Sequence, residues 1–393
     1  MKVLHITNAL GRYNSGGIGD VLNAFVSAQN KIVEKIEVWH PNNASDSEEF
    51  AEQTGLNIEQ VKSFKTVGGN KNGFSPEMIL EAFKKKDDFD IIHQHGLWLP
   101  ISFVGLLFHS KTTKKVISPH GFLNENALAI SPIKKKLSAK LYENRNLRSS
   151  DCLHACSVFE ADFFRAYGLK QDIALIPNGV EDDFVYSKGN TEAFKLKHEI
   201  SDNKVMLFLS RIHPSKGLEL LLRLIASVKD EFNKWRLVVA GIDELNHEAE
   251  LKNLAKELEI DHLIKFVGPV FGQEKVDAFD ASDVFVLPTD TENFGIVVAQ
   301  ALARKKPVIT TTEAPWKELV DFSCGWWIPK TEVAFKDTLN MVLKLPAEEL
   351  EQRGRNGFNL VKKNYLWSEL THRTIELYDY LLNPSLGKPT FIL

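Results

Sequence analysis

The stretch DVFVLPTDTENFGIVVAQA, Asp283 to Ala301, decides the fold. Val284 to Leu287 is an apolar run of strand length, and Pro288 ends it. Thr289, Asp290 and Thr291 form a polar turn that delivers Glu292. From Phe294 the apolar spacing becomes helical, with Ile296, Val297, Ala299 and Ala303 expected to be buried. The unit is a strand, a sharp turn and a helix N-terminus. Such a helix start presents unpaired backbone N–H groups and a positive dipole end, which suit phosphate. Gly295 carries no side chain where a ligand would need to approach the backbone. The plain alternative is an ordinary βα unit whose glutamate has no role.

The chain has 393 residues and is 44% hydrophobic, more than one ordinary core needs, so two domains are expected. The net charge of −4 carries no global basic signature and argues against nucleic acid as a partner. Cys152, Cys156 and Cys324 are too few and too scattered for a disulfide framework, which fits a reducing compartment. Cys152 and Cys156 have no matching second pair and read as small buried residues, not zinc ligands. No apolar run is long enough to cross a bilayer, and Lys2 leads into a strand without signal-peptide architecture.

Strands are expected at Val3–Ile6, Lys35–Trp39, Asp90–His93, Val116–Ser118, Asp151–Ala155 and Ile173–Ile176. A second series is expected at Val205–Leu209, Arg236–Ala240, Ile264–Val267, Val284–Leu287 and Val308–Thr310. Helical patterns separate most of them, and such alternation argues for parallel sheets covered on both faces. Residues 42–73 are polar and poorly periodic, with no clear elements. The tail after Pro384 is expected to fray.

Several loops follow strand ends, where ligands of open α/β sheets gather. SGGIGDV, Ser15 to Val21, could bring backbone N–H groups to an anion through Gly16 and Gly17, or could be a flexible turn. It fits neither a dinucleotide fingerprint nor a Walker motif. HQHGLWLP places His93 and His95 on one strand face, with Trp98 beyond, where it could simply pack under the next helix. No third ligand has helpful spacing, so metal is not expected. SPHGFL carries His120. SRIHPSKGLELLL supplies Arg211 and Lys216, either as an anion clamp or as surface salt bridges. IKKKLSAKLYENRNLR, Ile133 to Arg148, is basic with an apolar stripe at Ile133, Leu137 and Leu141. It could dock on an anionic membrane or acidic acceptor, but the narrow stripe favours a helix packed on its own domain.

Together, the Asp283–Ala301 stretch and these loops resemble the retaining GT-B glycosyltransferases of family four, over nearly the whole chain. SGGIGDV also looks like the GG loop of bacterial glycogen synthases. The resemblance implies an α/β GT-B fold, two Rossmann-like domains with parallel sheets facing a central cleft. An acceptor-binding domain would span 1–186, joined by a C-terminal helix at about 366–393, and a nucleotide-sugar domain would span 187–365. The family motif is Glu-x7-Glu; Glu292 holds its first position, but Gln300 stands at the second. By resemblance Glu292 orients the donor sugar, Arg211 and Lys216 clamp its diphosphate, and His120 approaches the donor sugar and the acceptor side. Gly16, Gly17, Asn293, Phe294, Gly295 and Ile296 line the donor, Val270 and Phe271 meet the base, and Gln300 meets the ribose. His95 and Trp98 would belong to the acceptor side.

The implied reaction moves a sugar from a UDP- or GDP-linked donor to a hydroxyl, on a lipid-linked or cell-surface glycan precursor. Lipopolysaccharide or other polysaccharide biosynthesis is the expected setting. No metal and no cofactor beyond the donor is implied. The expected location is cytoplasmic, with peripheral attachment to the inner membrane face through the basic helix. Two other readings stay open: a GT-B sugar-nucleotide epimerase or hydrolase, and a weakly active nucleotide-sugar binder, to which Gln300 points.

Overall fold

The computed structural model describes residues 1–8, 10, 17–41, 44–67, 73–108, 112–200 and 203–393. The chain divides into two compact units. The first comprises Met1–Gly179 and Trp367–Leu393, and the second comprises Val180–Leu366. The division thus falls after Gly179, not after residue 186. The short helix Asp182–Tyr186 belongs to the second unit, where the Arg304 guanidinium donates to the carbonyls of Phe184, Val185 and Ser187.

The first unit holds a seven-stranded sheet. Its strands are β1 (Lys2–Thr7), β2 (Lys35–His40), β3 (Val61–Ser63), β4 (Ile91–His95), β5 (Lys114–Ser118), β6 (Cys152–Ala155) and β7 (Asp172–Leu175). All pairs are parallel, in the order β3-β2-β1-β4-β5-β6-β7. Near-continuous apolar runs such as Ile91–Ile92 and Val116–Ile117 suit strands buried on both faces. β3 lies in the stretch whose periodicity was unreadable. β4 continues to His95, which puts both histidines of its HQH segment inside the strand.

The second unit holds six parallel strands, β8 (Lys204–Leu209), β9 (Trp235–Ala240), β10 (Ile264–Gly268), β11 (Val284–Leu287), β12 (Val308–Thr311) and β13 (Gly325–Ile328). Their order is β10-β9-β8-β11-β12-β13. The order reverses between β8 and β11, and a doubly wound sheet opens a ligand crevice at such a switch point. β13 escaped the sequence reading because Trp326 and Trp327 look like packing residues. They do pack, and they do so from a strand.

Three further expectations are corrected. The helix predicted from Phe294 begins at Ile296, and Val298 is fully buried while Ile296 and Val297 are only partly so. The basic segment is helical without a break over residues 132–148, but its stripe is not packed on its own domain. It runs as Pro132–Ser138, a π-helical stretch Ala139–Glu143, and Asn144–Arg148. Its apolar stripe faces outward, with Ile133 82%, Leu137 59% and Leu141 68% exposed. The C-terminal tail does not fray. Leu175 N–H donates to the Phe391 carbonyl at 2.9 Å and Leu393 N–H to that of Ile173 at 2.8 Å, so the tail extends the sheet edge at β7. Ile392 is buried in the core cluster that holds Val3, Phe25 and Tyr378.

Ile392→Ala should therefore destabilise the first unit by about 2 kcal/mol, the low end for an isoleucine truncated in a core. Urea unfolding followed by tryptophan fluorescence measures this. An unchanged midpoint would mean that the tail contributes no packing.

Candidate functional site

In the second unit the site is built where β8 and β11 end side by side. Lys216 closes a short 3-10 turn, Pro214–Lys216, and Gly217 then starts the helix Leu218–Ser227. Gly217 has φ +73°, and a Cβ there would lie 2.0 Å from the Pro288 carbonyl oxygen. Only glycine lets the two loops meet this closely. Asp290 N–H donates to the Ser215 carbonyl at 2.8 Å, and the Thr289 hydroxyl donates to the same oxygen at 3.3 Å. This stitching brings Lys216 Nζ to 2.5 Å from Glu292 Oε1, with both side chains largely buried.

Beyond Glu292 the chain is held from behind. Phe294 packs against Trp316, ring centroids 5.2 Å apart, and the Trp316 indole N–H donates to the Phe294 carbonyl at 2.5 Å. Tyr365 packs on both rings. Gly295 follows at φ +76° as the N-cap of the helix Ile296–Ala303. An L-residue is strained in that conformation, so the sharp entry into the helix depends on glycine. The site thus combines a lysine, a carboxylate and a helix N-terminus, which together can hold an anion and a hydroxylated neighbour.

Gln300 stands in the middle of that helix. Its Oε1 is buried and has no hydrogen-bond partner among the described residues. Such an acceptor costs on the order of 1–3 kcal/mol unless something donates to it. Asn293 is partly buried beside Glu292. Arg211 leaves the end of β8 but pairs with Glu244 at 2.8 Å and is half exposed. The structure therefore brings Lys216, and not Arg211, to Glu292. Val270, buried, and Phe271, partly exposed, follow β10 at the same carboxyl edge of the sheet.

In the first unit, β4 and β5 deliver His95 and His120 to adjacent strand ends, where the two rings stack with centroids 5.3 Å apart. His95 Nδ1 lies 3.0 Å from His120 Nε2. His120 is partly exposed and adopts φ +54°. The loop is pinned from below by the buried Glu160 carboxylate, which accepts from the N–H groups of Gly121 and Cys156. Trp98 also has positive φ, at +71°. Its N–H donates to the buried Glu143 carboxylate at 2.6 Å, and its indole N–H donates to the Phe122 carbonyl at 2.9 Å. Burial raises the Glu143 pKa. Trp98 thus holds the loop together through both polar groups. Gly16 lies outside the described residues, and Gly17 opens the helix Gly17–Gln29.

The spacing of HQH concealed a third imidazole. His5 on β1 pairs in register with His93, and ring nitrogens of His5, His93 and His95 lie within 4.8 Å of one another. A metal would need such a grouping. Here, however, every one of these nitrogens already has a hydrogen-bond partner, in His5, His95, Gln29, Tyr378, Ser118 or His120. Burial keeps these rings neutral. It pushes His5 down to about 4 and His120 to about 3, and it holds His93 and His95 well below the usual imidazole range. His5, Gln29, Glu143, Glu160 and Tyr378 were invisible as site residues in the sequence, since none of them falls in a recognisable motif and only tertiary contacts bring them to these loops.

Residues 190–360 match the model of the glycosyl transferases group 1, and residues 16–184 match that of Glycosyltransferase Family 4. The chain is 26% identical over 321 residues to a D-inositol 3-phosphate glycosyltransferase of Saccharomonospora viridis, covering 76% of this chain and 72% of that one. It is 22% identical over 317 residues to the phosphatidylinositol N-acetylglucosaminyltransferase GPI3 subunit of Saccharomyces cerevisiae, covering 79% and 68%. Among solved structures, Anabaena HepE in complex with UDP-glucose superposes with a TM-score of 0.77 at 16% identity, covering 96% of this chain and 99% of that one. With its two parallel Rossmann-like sheets, the chain belongs to the group 1 glycosyltransferases of GT-B fold.

Proposed function

We propose that this glycosyltransferase moves a sugar from a UDP-linked donor to a hydroxyl acceptor with retention of anomeric configuration. The observation that carries the reading is the Lys216–Glu292 pair at the β8/β11 switch point, beside the N-terminus of the helix Ile296–Ala303. In this reading the donor diphosphate lies against Lys216 and the backbone of Phe294–Gly295, and Arg211 swings from Glu244 to join it. As the bond from the anomeric carbon to the diphosphate breaks, charge grows on the leaving oxygens, and fixed cations and N–H groups stabilise it. The acceptor oxygen bonds the same face of that carbon, and its proton passes to the leaving phosphate oxygen. Glu292 orients the sugar hydroxyls, Gln300 accepts from a ribose hydroxyl, and Val270 and Phe271 meet the base. The first unit takes the acceptor at the His95–Trp98 and His120 loops, with His120 contacting a hydroxyl. The UDP complexes of structural neighbours support the choice of base.

The acceptor we propose is a lipid-linked or cell-surface glycan precursor, with the protein docked on an anionic membrane face. No helix among the described residues is long and apolar enough to cross a membrane. What supports docking is the outward stripe of Ile133, Leu137 and Leu141, flanked by Lys134, Lys136 and Lys140. A relative whose name includes phosphatidylinositol supports a lipid-borne acceptor.

Three measurements test these assignments. Lys216→Gln keeps a donor beside Glu292 but removes the charge, and it should lower kcat about tenfold or more in assays of UDP release over a panel of donors and acceptors. Near-parental turnover would remove the diphosphate role. Gln300→Glu restores a carboxylate that can accept from both ribose hydroxyls. Donor Kd by calorimetry should tighten about fivefold, and an unchanged Kd would show that position 300 does not touch the donor. Liposome sedimentation should show salt-sensitive binding to anionic vesicles that weakens when Ile133 and Leu137 become serine. Equal, salt-independent binding to neutral vesicles would count against docking.

A further inference from the structure

A chain of hydrogen bonds runs through the first unit from a backbone carbonyl to His120, and its direction is set at the far end. His154 Nε2 lies 2.8 Å from the Ile176 carbonyl oxygen, which can only accept, so that nitrogen carries the proton. Burial pushes the His154 pKa down to about 4, so the ring is neutral and its Nδ1 accepts. The donor to Nδ1 is the Ser118 hydroxyl, 2.8 Å away. That hydroxyl has one proton, so it must accept from His93 Nε2, 2.7 Å away. His93 is also neutral, and its Nδ1 accepts from the Tyr378 hydroxyl at 2.5 Å. Burial keeps that phenol protonated by raising its pKa.

The tyrosine proton is thereby committed to His93. Its oxygen accepts from Gln29 Nε2 at 3.4 Å, which orients the amide and turns Gln29 Oε1 toward His5 Nε2 at 2.9 Å. His5 Nδ1 accepts from His95 Nε2, and His95 Nδ1 accepts from His120 Nε2, each at 3.0 Å. Every ring in the chain takes the same Nε2–H tautomer. With the Gln29 amide turned so that its Nε2 faces the Tyr378 oxygen, this placement gives every bond of the chain one donor and one acceptor.

We infer that this chain is a tautomer lock. It fixes His120 with Nε2 protonated and Nδ1 as a bare acceptor, aimed at a hydroxyl donor on the substrate, and Gln29 and Tyr378 are its positioning residues. The inference rests on the proposed contact of His120 with a substrate hydroxyl. It adds that residues on the helices Gly17–Gln29 and Trp367–Leu382, remote from His120 in sequence, decide which way that contact can run. A protonated Nδ1 would meet the hydroxyl only as a donor.

The test is nitrogen-15 NMR of histidine-labelled protein without substrate, with the His120 ring assigned through His120→Gln. The parental protein should show His120 Nδ1 as pyridine-like and Nε2 as pyrrole-like. Tyr378→Phe keeps the ring but cuts the chain between Gln29 and His93, and it should give His120 a mixture of tautomers. In turnover assays the same variant should lose about fivefold in kcat, the size of one neutral hydrogen bond, with little change in donor KM. A parental His120 protonated on Nδ1 would overturn the lock. So would an unchanged tautomer in Tyr378→Phe, or one equivalent of zinc retained on His5, His93 and His95 after dialysis. The spectrum of the free protein is independent of turnover, so failure of the lock is distinguishable from failure of the glycosyl-transfer reading.

Discussion

The close passage of Gly217 past the Pro288 carbonyl is the constraint on which the donor half of this protein depends. Two adjacent parallel strands end there, and their loops share hydrogen bonds through Ser215, Thr289 and Asp290. If the loops were held further apart, Lys216 would not reach Glu292. Two opposite charges so largely buried are costly to keep unless each faces the other. The pair therefore holds cation and carboxylate at fixed positions beside a helix start, and little of the site must be ordered when a ligand arrives.

The two units use the same sheet topology in different ways. In the second, the carboxyl edge carries charge: a lysine, a glutamate, a half-exposed arginine. In the first, the equivalent edge carries neutral rings stacked in the sheet interior. His93 and His95 stack with centroids 4.4 Å apart, and T-shaped contacts to Phe25 brace them from the side. A protonated ring there would be buried among the other imidazoles and Phe25. A neutral hydrogen-bond chain avoids that penalty while still fixing direction.

Much of this was legible in the sequence, for identifiable reasons. The run from Asp283 to Ala301 announced strand, turn and helix because proline, a polar turn and a helical apolar period follow one another without ambiguity. The βα alternation announced parallel sheets. What could not be read was anything that depends on distant residues meeting. His5 is one polar residue in an apolar strand, and only register across β1 and β4 places it against His93 and His95. Tyr378 and Gln29 lie on helices far apart in the chain. The exposure of Ile133, Leu137 and Leu141 is not legible, because an apolar stripe does not say whether its partner is the protein itself. The tail failed for a related reason. Phe391–Leu393 carries a strand-like signal too short to notice, and its pairing with β7 is a tertiary fact.

The return of residues 367–393 to the first unit has a consequence for how the chain is made. The second unit is one uninterrupted segment, Val180–Leu366, so all of its strands have been made once that segment has emerged. The first unit is not. Its sheet is synthesised early, but the helix that carries Tyr378 and the tail that pairs with the edge of β7 follow only after the whole second unit has been translated. Until then the apolar surface around Phe25 and Ala174 has no cover, and His93 has no phenol to answer it. The usual order, in which an N-terminal domain folds first during synthesis, is reversed here. The first unit starts on the ribosome before the second and finishes after it, and for that interval its uncovered apolar surface is open to chaperones and to aggregation.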